Sequence, residues 1–364
     1  MNWLLIDMLV WGVAMVLSWL CTWGCRYLAP KLGCVDRPQH EAHKNHAAAT
    51  PVLGGAAMLI AWLVTLIAGL AAFDFLGRRS DFALLTEHLA GLTATMQRLA
   101  VLGGMATALA LIGLADDRKP MPAWLKFLLQ ALAAGLTATL GLRVSFLGAI
   151  PGANWLVTTL WIMTVINALN FFDNMDGLAG GTAMIAAFFL LFVAVLRGQH
   201  FVAVLAASVG GTAAGFLVHN APPARIFMGD SGSHFLGYCL AVLGILTTFY
   251  VPSESPTPAP LLIPVLALGV PLFDAAAVVA IRLRAGLPVY VGDNRHISHR
   301  FVRLGLTRPQ AVLLVLLLCF MVGASALTLL WLPPAGFLLV IAQIVAVLAA
   351  ISMIQFYVHE GRKP

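Results

Sequence analysis

The chain has 364 residues, of which 61% are hydrophobic and only 10% charged, and its mean hydropathy is +0.93. Soluble domains carry about 25% charged residues, so the composition excludes a soluble globular protein and points to an all-α polytopic membrane protein, read as one domain over residues 1–364. The net charge of +6 suits anionic lipid head groups or a phosphorylated substrate, and nothing in its pattern points to nucleic acid.

A bilayer crossing needs about 20 apolar residues. In chain order such segments fall at 4–28, 52–73, 93–115, 123–142, 151–169, 178–197, 200–218, 232–251, 259–283, 309–331 and 335–357. The short links near 198–200 and 332–334 set the expected count at ten to eleven. The first segment ends in "CTWGCRYLAPKLG" without a small-residue cleavage site and reads as a retained helix. Cys21, Cys25, Cys34, Cys239 and Cys319 fall mostly within spans. The one-turn spacing of Cys21 and Cys25 is read as apolar packing, not as a metal or redox pair. No internal repeat, low-complexity tract or soluble domain is visible.

If the loops alternate, one side collects Arg26, Lys31, Arg37, Lys44, Arg118, Lys119, Lys126, Arg225, Arg282, Arg284, Arg295, Arg300, Arg303, Arg308, Arg362 and Lys363. The other holds Arg78, Arg79, Arg98, Arg143 and Arg197. Basic loops favour the cytoplasm, which places the first side inside and the N-terminus outside. Five polar stretches all fall on that inner side: "DRPQHEAHKNHAAATPVLGG" (36–55), "LADDRKPMPAWLKF" (114–127), "NALNFFDNMDGLAGG" (167–181), "ARIFMGDSGSHFLG" (224–237) and "VGDNRHISHRFVRLG" (291–305). Their agreement in side is the main reason to expect a single site.

Asp116 and Asp117 stand at the end of a span, where carboxylates are costly unless paired, hydrated or bound to a cation. One of two adjacent carboxylates can keep a raised pKa and serve as a base; a solvated helix terminus is the plainer alternative. Lys126 lies two to three helical turns further on, within reach of a phosphate at the same mouth, whereas Arg118 and Lys119 read as ordinary positive-inside residues. In the third stretch Asn167, Asn170, Asp173 and Asp176 recur at a spacing of three, which on a helix or 3₁₀ turn brings all four toward one face. In "FMGDSGS" small residues flank Asp230, so the backbone can turn and approach a ligand or cap the following helix; Phe227 reads as packing or as a stacking platform. His296 and His299 have zinc-like spacing but no thiolate nearby, and Arg295, Arg300 and Arg303 make their loop an anion site. His40, His43, Lys44 and His46 are too irregular to carry a metal tract.

Carboxylate and amide oxygens without thiolate select magnesium or manganese, and magnesium ringed by basic residues is apparatus for a pyrophosphate. A membrane protein acting on a pyrophosphate at its inner surface is expected to join a nucleotide-activated donor to a lipid acceptor.

With these stretches in order from Gly33 to Gly305, the chain resembles the polyprenyl-phosphate N-acetylhexosamine-1-phosphate transferase family. The resemblance implies a Mg2+-dependent enzyme with its active site at the cytoplasmic face of the plasma membrane. It implies a UDP-sugar donor, a polyprenyl phosphate acceptor, and members that can form homodimers. By the family's motifs, Asp116 and Asp117 match the aspartates near the acceptor phosphate and Lys126 a lysine on the donor pyrophosphate. Asn170 and Asp230 match the metal ligands, with Asp173 beside them as a further or alternative carboxylate. Asp176 and Phe227 match the uracil contacts, and His296, His299 and Arg300 the motif gripping pyrophosphate and sugar. Two departures stand out: Ser298 replaces a histidine of the family's His-Ile-His-His-Arg, and His43-Lys44-Asn45-His46 replaces Arg-Lys-x-His. The expected reaction is transfer of a sugar-1-phosphate, GlcNAc-1-phosphate first, to undecaprenyl phosphate with release of UMP. A phospho-MurNAc-pentapeptide transferase ranks lower because three consecutive histidines are missing. An ion-coupled transporter is the rival from another class, although the spans past the fifth are nearly free of charge, Asp274 excepted.

Overall fold

The computed structural model describes residues 2–36, 49–79, 83–86, 91–147, 150–247, 249–250, 253, 257–288 and 295–360. His40, His43, Lys44 and His46 lie outside the described residues. Each apolar segment of the sequence is helical over most of its described residues. In chain order the helices are α1 (Trp3–Lys31), α2 (Gly54–Gly77), the short α3 (Ala83–Thr86), α4 (Leu92–Arg118), α5 (Ala123–Thr139), α6 (Ala153–Phe172) and α7 (Leu178–Leu196). They continue with α8 (His200–Asn220), α9 (Gly229–Leu246), α10 (Ile263–Ala267), α11 (Gly269–Arg284), α12 (Ile297–Arg303), α13 (Arg308–Leu327) and α14 (Pro334–Glu360). Strands β1 (Val35–Asp36) and β2 (Thr50–Pro51) form a small antiparallel pair, Val35 opposite Pro51 and Asp36 opposite Thr50.

Among the described residues, 8 helices are long and apolar enough to cross a membrane, or 9 if α10 and α11, bent by 72°, count as one broken span. The expected ten to eleven crossings are thus fewer by this measure, for two local reasons. Helix α5 has 17 residues, so its axis is about 26 Å long. Helix α9 opens with the polar run GDSGSH, which dilutes its apolar length. The links at 198–200 and 332–334 are real breaks, the first turned by Gly198. The chain is a multi-pass membrane protein.

Lipid tails are as apolar as leucine, so helices in a bilayer associate through close packing of small residues and through hydrogen bonds. Helices α7 and α8 form the centre, with 67% and 72% of their apolar windows buried, against 17% for α1 and 11% for α14 at the rim. Fully buried alanines (Ala183, Ala186, Ala187, Ala203, Ala206 and Ala207) let the central helices approach. Helix α1 runs beside α8 in the same direction: Trp11 faces Gly210, the Ser18 hydroxyl donates to the Thr212 carbonyl at 2.7 Å, and His219 Nε2 donates to the Trp19 carbonyl at 3.3 Å.

Candidate active site

Helix α4 carries Asp116 and Asp117 in its last turn, and the chain then reverses over 119–122 into α5. Lys126 therefore returns to the pair from the next helix instead of reaching back along the same one. Its Nζ donates to Asp116 Oδ2 at 2.8 Å and also to Asp230 Oδ2, bridging two helix ends. The Met121 amide donates to Asp116 Oδ1 at 2.6 Å and pins the reversal.

The first amides of a helix lack intrahelical partners. Those of α9 find Asp117, whose Oδ1 accepts from Asp230 N at 2.8 Å and Oδ2 from Ser231 N at 3.2 Å. Two glycines make this possible. Gly229 has a φ of +68°, and a Cβ there would meet the Asp117 carboxylate at 2.5 Å. A Cβ on Gly113 would run into the Asp230 backbone, so α4 and α9 touch main chain to main chain. Phe227 is set by the strand pair and α2: its amide donates to the Pro51 carbonyl at 2.8 Å, and its carbonyl accepts from Gly54 N at 3.0 Å.

Helix α6 supplies Asn170, whose Nδ2 donates to Asp230 Oδ1 at 2.7 Å and Ser233 Oγ at 2.9 Å. Asp173 is the residue that ends α6, and Asp176 in the following turn accepts from Ala224 N at 2.9 Å. The expected row of four loses Asn167. Three residues advance an α-helix by about 300°, so each step drifts back about 60°. Asn167 accordingly faces α5 and donates to Gln130 Oε1 at 2.7 Å, while Gln130 Nε2 lies 3.1 Å from His234 Nε2.

These side chains open on one cavity of about 620 Å3, which Asp116, Asp117, Asn170, Asp173, Asp176, Phe227, Asp230 and His299 all line. Asp36 and Val52 from the first polar stretch join them, so all five stretches meet. Lys126 stands behind Asp116 and Asp230, and His296 and Arg300 stay off the cavity wall. His296 Nδ1 donates to Asp274 Oδ2 at 2.6 Å, and Arg300 Nε to the Arg295 carbonyl at 2.7 Å. Two basic wall residues were not expected to face the site. Arg118, read from sequence as a plain positive-inside residue, lines the cavity and donates from Nε to Cys34 Sγ at 3.3 Å. Arg308 opens α13 beside a capping box of Thr307 and Gln310, a helix-start signal that "LTRPQ" does carry.

Electrostatics divide the wall. Burial first, then the Asp230, Asp117 and Asp176 carboxylates, pushes the Asp173 carboxyl up to about 8. Burial, then His296, Arg308 and Arg303, holds the His299 imidazole down at about 4. The acidic side thus crowds negative charge that a cation would relieve. Among the described residues no group of three His, Cys, Asp or Glu side chains forms a ready-made metal cage. Magnesium does not require one, being held by one or two carboxylates with waters and substrate phosphates. Asp230, Asp173 and the Asn170 carbonyl, whose amide nitrogen already faces Asp230, fit that donor set and do not fit zinc.

A sequence model described as "Glycosyl transferase family 4" matches residues 99–248. The "Probable undecaprenyl-phosphate N-acetylglucosaminyl 1-phosphate transferase" of Bacillus subtilis is 30% identical over 350 residues, covering 93% of this chain and 88% of that protein. The "Decaprenyl-phosphate N-acetylglucosaminephosphotransferase" of Mycobacterium tuberculosis is 30% identical over 337 residues, 85% of this chain and 79% of that one. A "Phospho-N-acetylmuramoyl-pentapeptide-transferase" of Geobacillus kaustophilus is 32% identical over a shorter reach of 230 residues, 57% of this chain and 65% of that one. On the ordered motifs, their convergence on one cavity and these similarities, the chain belongs to the polyprenyl-phosphate N-acetylhexosamine-1-phosphate transferases of glycosyl transferase family 4.

Proposed function

We propose that the protein transfers GlcNAc-1-phosphate from UDP-GlcNAc to a polyprenyl phosphate at the cytoplasmic face of the plasma membrane, releasing UMP. The observation that carries this reading is the Lys126 bridge between Asp116 and Asp230 beside a cavity that Phe227 and Asp176 also line. The basic residues at the same helix ends, Arg118 and Arg308 among them, support the cytoplasmic assignment.

An oxygen of the lipid phosphate attacks the β-phosphorus of the donor. The bond from that phosphorus to the bridging oxygen breaks, and the oxygen leaves as part of UMP. A phosphate monoester is already largely ionised at neutral pH, so no side chain has to remove a proton. Asp117 uses both oxygens on α9 amides, so its part is to hold Asp230 in place. Lys126 brings its positive charge to the phosphates from the α4–α5 end, and Asp116, bonded to Lys126 Nζ and Met121 N, aims it. Phe227 stacks on the uracil, and the Asp176 oxygen not taken by Ala224 N accepts from the base. His299 and Arg308 face the diphosphate and sugar, with His296 and Arg300 supporting them. Magnesium held by Asp230, Asp173 and Asn170 would neutralise pyrophosphate charge and make UMP a better leaving group.

The test is UMP release by the purified protein in detergent with undecaprenyl phosphate and Mg2+, across a panel of UDP-sugars. Release with UDP-GlcNAc alone is expected. Release with another UDP-sugar would keep the chemistry and change the product; no release from folded protein with any donor would overturn the reading.

A further inference from the structure

Helix α12 has seven residues, too few to hold its own shape or direction without outside contacts. Two hydrogen-bonded ties supply them. Asp274, 2% exposed on α11, uses both carboxylate oxygens on α12: Oδ2 accepts from His296 Nδ1 at 2.6 Å and Oδ1 from Ile297 N at 2.7 Å. A carboxylate in an apolar helix is costly, and here both of its oxygens are engaged by one short element. On the other side Ser298, 0% exposed, donates from Oγ to Asn174 Oδ1 at 2.6 Å. Asn174 lies on the cavity wall between Asp173 and Met175, and its Nδ2 donates to the Phe171 carbonyl at 2.9 Å. Residues 296–298 are thus fastened to two separate elements, and the next residue, His299, is the one that reaches the cavity.

We propose that Asp274 and Ser298 are paired positioning residues that aim His299 at the diphosphate–sugar end of the donor, Asp274 through His296 and α12, Ser298 through Asn174. The proposal rests on reading the cavity as the donor site. Ser298 stands where the family pattern has a histidine, so in this chain a hydroxyl tie to the acidic turn takes that place, and the turn carrying Asp173 and Asp176 is coupled directly to the basic helix. Ile297 and Phe301 complete the docking through apolar contacts with α13.

The experiment measures UMP release by wild-type, D274N, S298A, S298T, H299A and the double variant S298A/H299A, varying UDP-GlcNAc at saturating polyprenyl phosphate and then the reverse. D274N and S298A are each expected to raise the donor KM about 10-fold, as a misaimed contact group does, while the acceptor KM stays within about twofold. S298T should restore the wild-type value. Because Ser298 acts through His299, S298A should add nothing in the H299A background. An unchanged donor KM in folded D274N and S298A, equal rises in both KM values, or additive effects in the double variant would each overturn the proposal. Absence of turnover by folded wild-type protein with every UDP-sugar would overturn the donor reading itself, and is distinguishable because all variants would then match wild-type.

Discussion

The acidic and basic walls of the cavity are built on different principles. The acidic wall comes from the ends of long helices α4, α6 and α9: α4 and α9 touch main chain to main chain at Gly113, and Asp117, Asn170 and, from α5, Lys126 tie the side chains together. The basic wall is a seven-residue helix and the first turn of α13, fastened from outside by Asp274 and Asn174. Burying carboxylates close together, which raises Asp173 first through burial and then through its acidic neighbours, needs a frame that cannot spread. An imidazole and a guanidinium facing a mobile anionic substrate need only to be aimed.

If the acidic wall holds the reacting phosphates, D230N should reduce turnover about 10^3-fold with the fold intact, since a donor or ligand to developing charge is worth that much. Turnover by D230N within tenfold of wild-type would break the comparison. A smaller effect tests rigidity. G229A must adopt a left-handed φ and press on Asp117, so it should lose about 1–2 kcal/mol of stability, read as a lower Tm in detergent. A Tm unchanged by G229A would mean the α4–α9 contact yields easily.

The smallest effect concerns pH. His299 is held at about 4 in the fold against about 6.5 unfolded, so the folded state binds fewer protons in that window. Stability is then full above about 6.5 and falls as pH drops toward about 4. Solvent screening reduces the loss to about 1 kcal/mol between pH 7 and pH 5.5. H299Q should flatten that part of the stability–pH curve, and an identical slope in H299Q would assign it to other groups.

Much of this design is legible in the sequence because the bilayer imposes a simple rule: apolar length means helix, and polar residues collect where helices end. The helices and the convergence of five stretches follow from that rule. What escapes it is direction. Asn167 looks like a member of the Asn170–Asp173 row, but helical drift turns it to Gln130. Lys126 looks like an extension of α4 until the chain reverses at Met121. Asp274 stands out as a lone carboxylate, yet its partners lie 22 and 23 residues away on an element too short to carry an apolar pattern. Arg118 and Arg308 hide among basic loop residues, because a positive-inside bias and a substrate-facing cation look alike in one dimension.

The pairing of α1 with α8 bears on the order of assembly. The buried stripe of α1 includes Asp7, Ser18 and Thr22, and Ser18 bonds to Thr212, 194 residues later in the chain. A growing chain inserts α1 long before α8 exists, so the Ser18 hydroxyl must wait in lipid or beside another helix until its partner is made. Closure of the bundle around α7 and α8 is therefore a late event in biogenesis, and changes on the α8 face of α1 should reduce the yield of assembled protein more than the activity of the molecules that do assemble.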